Sequence, residues 1–260
     1  MKNELKVALI QSNLVWENPE QNRINFTNKI SDIAEAIDLI VLPEMFTSGF
    51  TMNPSQVSET MTGATISWMQ ELAKLKETAI TGSIVIQENN NYYNRLLFVF
   101  PDRKIKYYDK KHTFTLAGEH KVYKAGSNIL TVNYLGWKIC PLVCYDLRFP
   151  VWARNTNDYD LLLYAANWPK IRVTAWDTLL KARAIENMSY CIGVNRVGLD
   201  ANGFEYSGNS RAYDVLGKRM DTIPMDKEAT EIVILKKEHI SKYREKLGFL
   251  NDRDVFSLKV

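Results

Sequence analysis

The amino-acid sequence predicts one α/β domain spanning residues 1–260, built as two mixed β-sheets packed together with helices outside. Three observations lead there. Short apolar runs of buried-strand type alternate with helical segments in the early part of the chain. Hairpin and glycine-turn signals dominate the middle and the end, a mixture that does not suit a simple doubly wound parallel sheet. No internal repeat, low-complexity stretch or Pro/Gly/Ser linker divides the chain.

The elements follow in order. Residues 5–11, LKVALIQ, read as a first strand. Residues 18–37 read as a helix, with Pro19 near its start and Ile24, Ile30, Ile33 and Ile37 at helical spacings. DLIVLPE (38–44) is a short buried strand ending at Pro43 and Glu44, and residues 65–78 form a second helix. AITGSIVIQ and YYNRLLFVF flank the turn-prone ENNN and read as a hairpin. KIKYYDK (104–110) continues as strand into a loop over 111–128. ILTVNY and WKICPLVC pair across Leu135-Gly136, and DLLLYAAN (160–167) is a buried strand. The longest helix covers 173–190, and CIGVNRVG (191–198) is the strand after it. Late hairpins with glycine turns occupy 205–220, and 230–247 is a last strand running into a helix.

Composition narrows the function. Hydrophobic residues make up 46% of 260, enough for a sizeable core without disulfide or metal staples. Net charge is +3, from 33 basic and 30 acidic residues, with no basic block, which argues against a nucleic-acid partner. The one candidate stripe, KKEHISKYREKL, alternates lysine with glutamate and reads as a solvated amphipathic helix. Neither a signal peptide nor a run long enough to span a membrane is visible. An odd count of three cysteines without an export signal suggests reduced thiols in the cytoplasm.

Four positions stand out chemically. Glu44 closes the apolar run 39–42; a carboxylate partly desolvated there is a stronger base, although alone it reads rather as a helix-start or turn carboxylate facing water. Of Lys110 and Lys111, only one can face a given pocket in an extended segment. An inward lysine would stabilise an oxyanion and a thiolate. Glu119 lies nine residues beyond Lys110 in a loop carrying Gly118 and Gly126. Cys144 sits where a buried strand stops, followed by Tyr145, Asp146 and Arg148. Cys140 and Cys191 lie inside apolar runs and read as core. The scattered histidines, His112 among them, offer no zinc site, and no phosphate loop or serine-nucleophile elbow is present.

Taken together, LIVLPEMF, YYDKKHTF and PLVCYDLRFP closely resemble the three catalytic motifs of the nitrilase superfamily of carbon–nitrogen hydrolases, in order and spacing. The resemblance spans essentially the whole chain. It implies Glu44, Lys110 and Cys144 as the catalytic set, the Tyr-x-Lys-x-His-x-Phe register choosing Lys110 over Lys111. LPEMFTSGF, AGEHKVYKAG, CYDLRFPVWARN, YDLLLYAANWP and ARAIENMSYCIGVNRVG look like its omega-amidase branch, which hydrolyses 2-oxoglutaramate and related monoamides.

The resemblance further implies a four-layer αββα sandwich, Glu119 as a supporting glutamate, and a homodimer. The C-terminal tail (about 236–260) is placed at the dimer interface. The expected chemistry is thioester formation on Cys144, with Glu44 as acid–base and Lys110 and the Tyr145 backbone N–H around the oxyanion. No metal or organic cofactor is expected; the partners are a small amide and water, not nucleic acid or a membrane. A far carboxylate on the substrate calls for a cation, and Arg148, Arg172 and Lys170 are nearby in sequence, Arg148 being alternatively a buried partner of Asp146. Phe50, Trp168 and Tyr145 are candidate pocket walls. The alternatives are another amidase, nitrilase or carbamoylase of the superfamily, and a non-catalytic binding protein, whose signature would be a lost Glu, Lys or Cys.

Overall fold

The computed structural model describes residues 2–258. β1 (Glu4–Gln11) is buried continuously from Val7, as a central strand covered on both faces must be. In α1 (Pro19–Ser31), Pro19 opens the helix and the Asn18 side chain accepts from the Gln21 N–H. The buried row of α1 is Asn22, Phe26 and Ile30, not the expected isoleucine row. Ile24 is exposed, and Ile33 and Ile37 lie beyond the helix end. Isoleucine spacing alone misreads this face because the inward side includes the polar Asn22, which bonds the backbone of Val15 and Thr47.

The chain continues through β2 (Leu39–Val41), α2 (Pro54–Val57), α3 (Ala64–Leu75), β3 (Ala79–Glu88), β4 (Asn91–Val99) and β5 (Ile105–Asp109). Then come β6 (Val132–Tyr134), β7 (Trp137–Val143), α4 (Pro150–Ala153), β8 (Leu161–Ala166), α5 (Val173–Asn187) and β9 (Tyr190–Asn195). Last are β10 (Val197–Leu199), β11 (Glu205–Ser207), β12 (Arg211–Tyr213), β13 (Ala229–Lys236) and α6 (Lys237–Leu247). The expected strand 191–198 breaks at Arg196. Its second half, β10, leaves for a two-stranded ribbon with β11.

One sheet has the order β13-β1-β2-β3-β4-β5 and the other β12-β9-β8-β7-β6. Each is mixed: β1, β2 and β3 are parallel, as are β7, β8 and β9, and antiparallel strands flank both sets. Leu5, Val7, Leu9 and Val41 meet Ile139, Leu161, Leu163 and Ile192 between the sheets. Phe26 and Ile30 of α1 and Ile66 and Met69 of α3 cover the outer face of the first sheet. Trp176, Leu180 and Ala184 of α5 cover the second. This is the expected four-layer αββα sandwich.

Gly193 permits the α5 contact: a Cβ there would stand 2.5 Å from Trp176 and 2.6 Å from Leu180. Trp176 is fully buried, and its indole N–H donates to the Asn209 carbonyl at 2.6 Å. Truncating such a side chain costs about 3–5 kcal/mol. Among the described residues no helix is long and apolar enough to cross a membrane. Residues 259 and 260 of the predicted interface tail lie outside the described residues.

Candidate active site

The two sets of parallel strands bring their C-terminal ends to one cavity of about 320 Å³. Ligand sites of open α/β sheets form at such ends. Glu44 follows β2 by three residues. Its loop is clamped to β3, with the Met45 N–H donating to Ser83 Oγ at 2.8 Å and the Phe46 N–H to the Ser83 carbonyl at 3.1 Å. Gly82 allows this approach, since a Cβ there would lie 2.8 Å from Leu42.

Lys110 follows β5. Alternation along the extended chain buries Tyr108 and Lys110 together. Lys111 points elsewhere, its ammonium 5.7 Å from the Trp152 ring centre. Glu119 opens a one-turn helix just after Gly118, whose φ of +76° turns the chain inward.

These three side chains form one buried ionic set. Lys110 Nζ lies 2.9 Å from Glu44 Oε1 and 3.0 and 2.9 Å from the two oxygens of Glu119. Asn94 Nδ2 donates to Glu44 at 2.8 Å and to Glu119 at 3.3 Å, and the Phe114 N–H to Glu119 at 2.5 Å. Burial disfavours the Lys110 charge, but Glu119, Glu44 and Cys144 outweigh it and hold the ammonium protonated. Burial pushes the Glu119 carboxyl up; Lys110 opposes the rise and Glu44 adds to it.

Cys144 follows β7 with φ +41°, a left-handed conformation costing a non-glycine residue about 1–2 kcal/mol. Its surroundings fix it. The Asp146 carboxylate accepts from the Val143 N–H at 3.0 Å, the Tyr108 hydroxyl at 2.8 Å and the His112 N–H at 3.0 Å, and lies 2.8 Å from His112 Nδ1. Arg183 of α5 donates to the Leu147 carbonyl at 2.6 Å from behind. The turn leaves the Tyr145 N–H in the first turn of a short helix, where no internal acceptor exists. Burial, then the Glu44 charge, raises the Cys144 thiol well above its ordinary range, against the opposing pull of Lys110. Cys144 therefore rests as a thiol. Cys140 and Cys191 are free and buried in the core, as expected, with the Cys140 thiol pushed up to about 12 by burial.

The structure brings Phe50, Lys110, Cys144, Tyr145, Arg148, Trp168 and Arg172 to the cavity wall. Lys110 Nζ lies 5.1 Å from the Phe50 ring centre. Arg148 is not the partner of Asp146: it is exposed, with its guanidinium 5.0 Å from the Trp168 ring. The Arg172 guanidinium lies 5.1 Å from Phe114. Lys170 is turned away, paired with Glu205 at 2.8 Å and Asp226 at 3.1 Å.

Sequence reasoning missed Asn94, Asn167 and the Asp146 cluster. It also missed the wall contributed by the β10–β11 ribbon, Asp200, Phe204 and Tyr206. One signal was available for Asn167: it follows the buried β8, as Glu44 follows β2 and Cys144 follows β7.

Residues 6–245 match the carbon-nitrogen hydrolase family. The chain is 44% identical over 254 residues to the omega-amidase YafV of Escherichia coli (strain K12), covering 98% of each. It is 31% identical over 217 residues to a 2-oxoglutaramate amidase of Bacillus subtilis (strain 168), covering 82% of this chain and 83% of that protein. It is also similar to the solved structure of XC1258 from Xanthomonas campestris, a CN-hydrolase superfamily protein with an arsenic adduct in the active site. The TM-score is 0.96 at 38% identity, covering 99% of this chain and 100% of that one.

Proposed function

The chain belongs to the carbon-nitrogen hydrolase family, and from that premise we propose a cysteine-dependent amidohydrolase. It cleaves the ω-amide of short dicarboxylate monoamides such as 2-oxoglutaramate to the acid and ammonia. One observation carries the reading: Cys144 shares a cavity with a lysine held between two buried carboxylates and with two arginines that have no carboxylate partner among the described residues.

Glu44 takes the thiol proton as Cys144 sulfur attacks the amide carbon. The carbonyl oxygen becomes an oxyanion, met by the Lys110 ammonium and the Tyr145 N–H; losing one such donor costs about 3 kcal/mol of transition-state stabilisation. Glu44 passes its proton to the nitrogen, ammonia leaves, and a thioester remains on Cys144. Glu44 then takes a proton from water, hydroxide attacks the thioester, and the acid departs as the sulfur recovers the proton. Glu119 holds Lys110 throughout.

The test is ammonia release from 2-oxoglutaramate, run beside glutamine, asparagine and a simple nitrile, with Cys144→Ala as control. Fast release from the oxo-amide, absent in the variant, supports the reading; activity confined to another amide or the nitrile overturns the substrate. Arg172, facing the cavity as a bidentate cation, is assigned the far carboxylate. Arg172→Ala is expected to raise KM for a carboxylated amide more than for a neutral one, and equal effects would remove the assignment.

The working form in this reading is a cytoplasmic homodimer with the tail from about residue 236 at its interface. The exposed Val255 and Phe256 and the three free thiols support it. A monomer by light scattering would overturn it.

A further inference from the structure

Three of the four polar groups of Asn167 are committed to the reaction centre. Its backbone N–H donates to Glu44 Oε2 at 2.8 Å, and its Nδ2 donates to the Glu44 carbonyl at 2.6 Å. Its own carbonyl lies 3.8 Å from the Cys144 sulfur. A carbonyl can only accept, so the bond to Glu44 fixes which arm of the side-chain amide is nitrogen. The remaining arm, Oδ1, is buried with no hydrogen-bond donor among the described residues. Asn94 Oδ1 is also bare, but Asn94 is not in the cavity wall, whereas Asn167 is. A buried acceptor without a donor is costly unless something supplies one.

We propose that Asn167 Oδ1 accepts an N–H of the substrate carboxamide and so selects primary amides in this cavity. The inference rests on the amidohydrolase reading above. With the carbon at Cys144 and the oxygen at Lys110 and Tyr145, the substrate nitrogen is directed to Glu44, which must protonate it. A protonated Glu44 oxygen donates to the nitrogen lone pair and cannot also accept from it. Oδ1 supplies the missing acceptor and keeps the lone pair turned toward the proton. An ester or the acid product presents only lone pairs there, which face those of Oδ1.

The test compares 2-oxoglutaramate with the 5-methyl ester of 2-oxoglutarate, which has the same acyl group and no N–H. Asn167→Ser keeps a hydroxyl for the Glu44 carbonyl and removes Oδ1. Its kcat/KM is expected to fall at least about tenfold more for the amide than for the ester, the scale of one buried hydrogen bond. An equal fall on both substrates, the signature of a merely structural role, overturns the proposal.

A second measurement does not depend on that variant folding. In Cys144→Ala with Asn167 intact, calorimetry is expected to show the amide binding about tenfold more tightly than the ester. Equal affinity overturns the proposal. Failure of the amidase reading looks different, because the wild type then releases no ammonia from 2-oxoglutaramate. If another acyl group is preferred, the same amide and ester pair is made on that group.

Discussion

Cys144→Ala is expected to lower kcat by about a million-fold, the scale reached when a covalent nucleophile is deleted, with little change in Tm. The sulfur's hydrogen bond to the Asn167 carbonyl is long, at 3.8 Å. The turn that carries it is held by Asp146 and Arg183. Glu44→Gln differs in a telling way. It removes the negative charge that helps raise the Cys144 thiol, so the thiol becomes more acidic. If thiolate content limited the rate, this variant would be faster.

In the proposed mechanism Glu44 instead carries the proton, and kcat is expected to drop about a hundred- to ten-thousand-fold. The substitution has its own structural cost. Glu44 accepts from Lys110 and Asn94 on one oxygen and from Asn167 on the other. A glutamine amide must point its NH₂ at one of those donors, at about 1–3 kcal/mol. Steady-state kinetics beside calorimetric Tm separate the two effects. An active Glu44→Gln protein would reject Glu44 as the base.

Glu44, Lys110 and Cys144 each stand at or just past the end of an extended segment, but none was specific alone; the resemblance of three motifs in order and spacing picked them out as a set. Alternation along the extended chain allows only one of Lys110 and Lys111 to face the pocket, and the motif register, not the alternation, chose Lys110. The second glutamate was legible only through resemblance, since Glu119 in its loop looks like any surface carboxylate. What stayed hidden depends on contacts made across the fold. Asn94 reaches Glu44 from fifty residues away and Asn167 from 123. No local pattern marks an asparagine for that. Proximity also misled: Arg148 lies two residues from Asp146, yet their short helix sends the arginine outward. The carboxylate goes to Tyr108 and His112, which lie at least thirty-four residues away. The isoleucine spacing in α1 failed for a related reason, because a polar residue with buried backbone partners occupied the inward face.

Lys110→Met is expected to damage stability and activity together, with a pH dependence that identifies the cause. Lys110 is the counter-ion of two carboxylates that are fully buried. Removing one partner of a buried ionic set costs about 3–5 kcal/mol, or a Tm loss of roughly 10 °C for a chain of this size. The sign follows from Glu119. Burial already raises its carboxyl, Glu44 raises it further, and Lys110 is the largest opposing influence. Without Lys110 the folded-state value climbs higher still. A carboxyl whose folded value exceeds its unfolded one retains stability at low pH, where it is protonated in both states. It loses that stability as pH rises from the unfolded value toward the folded one.

The Tm gap between Lys110→Met and wild type should therefore be small near pH 5 and widen toward pH 8. A gap independent of pH would mean that the lysine stabilises by packing its stem rather than by charge. On the kinetic side, loss of the proposed oxyanion partner is expected to cost about a hundred- to a thousand-fold in kcat. Lowering the pH should restore part of the stability but not the rate. A protonated Glu119 relieves the repulsion; it does not supply the cation that the proposed mechanism places at the oxyanion.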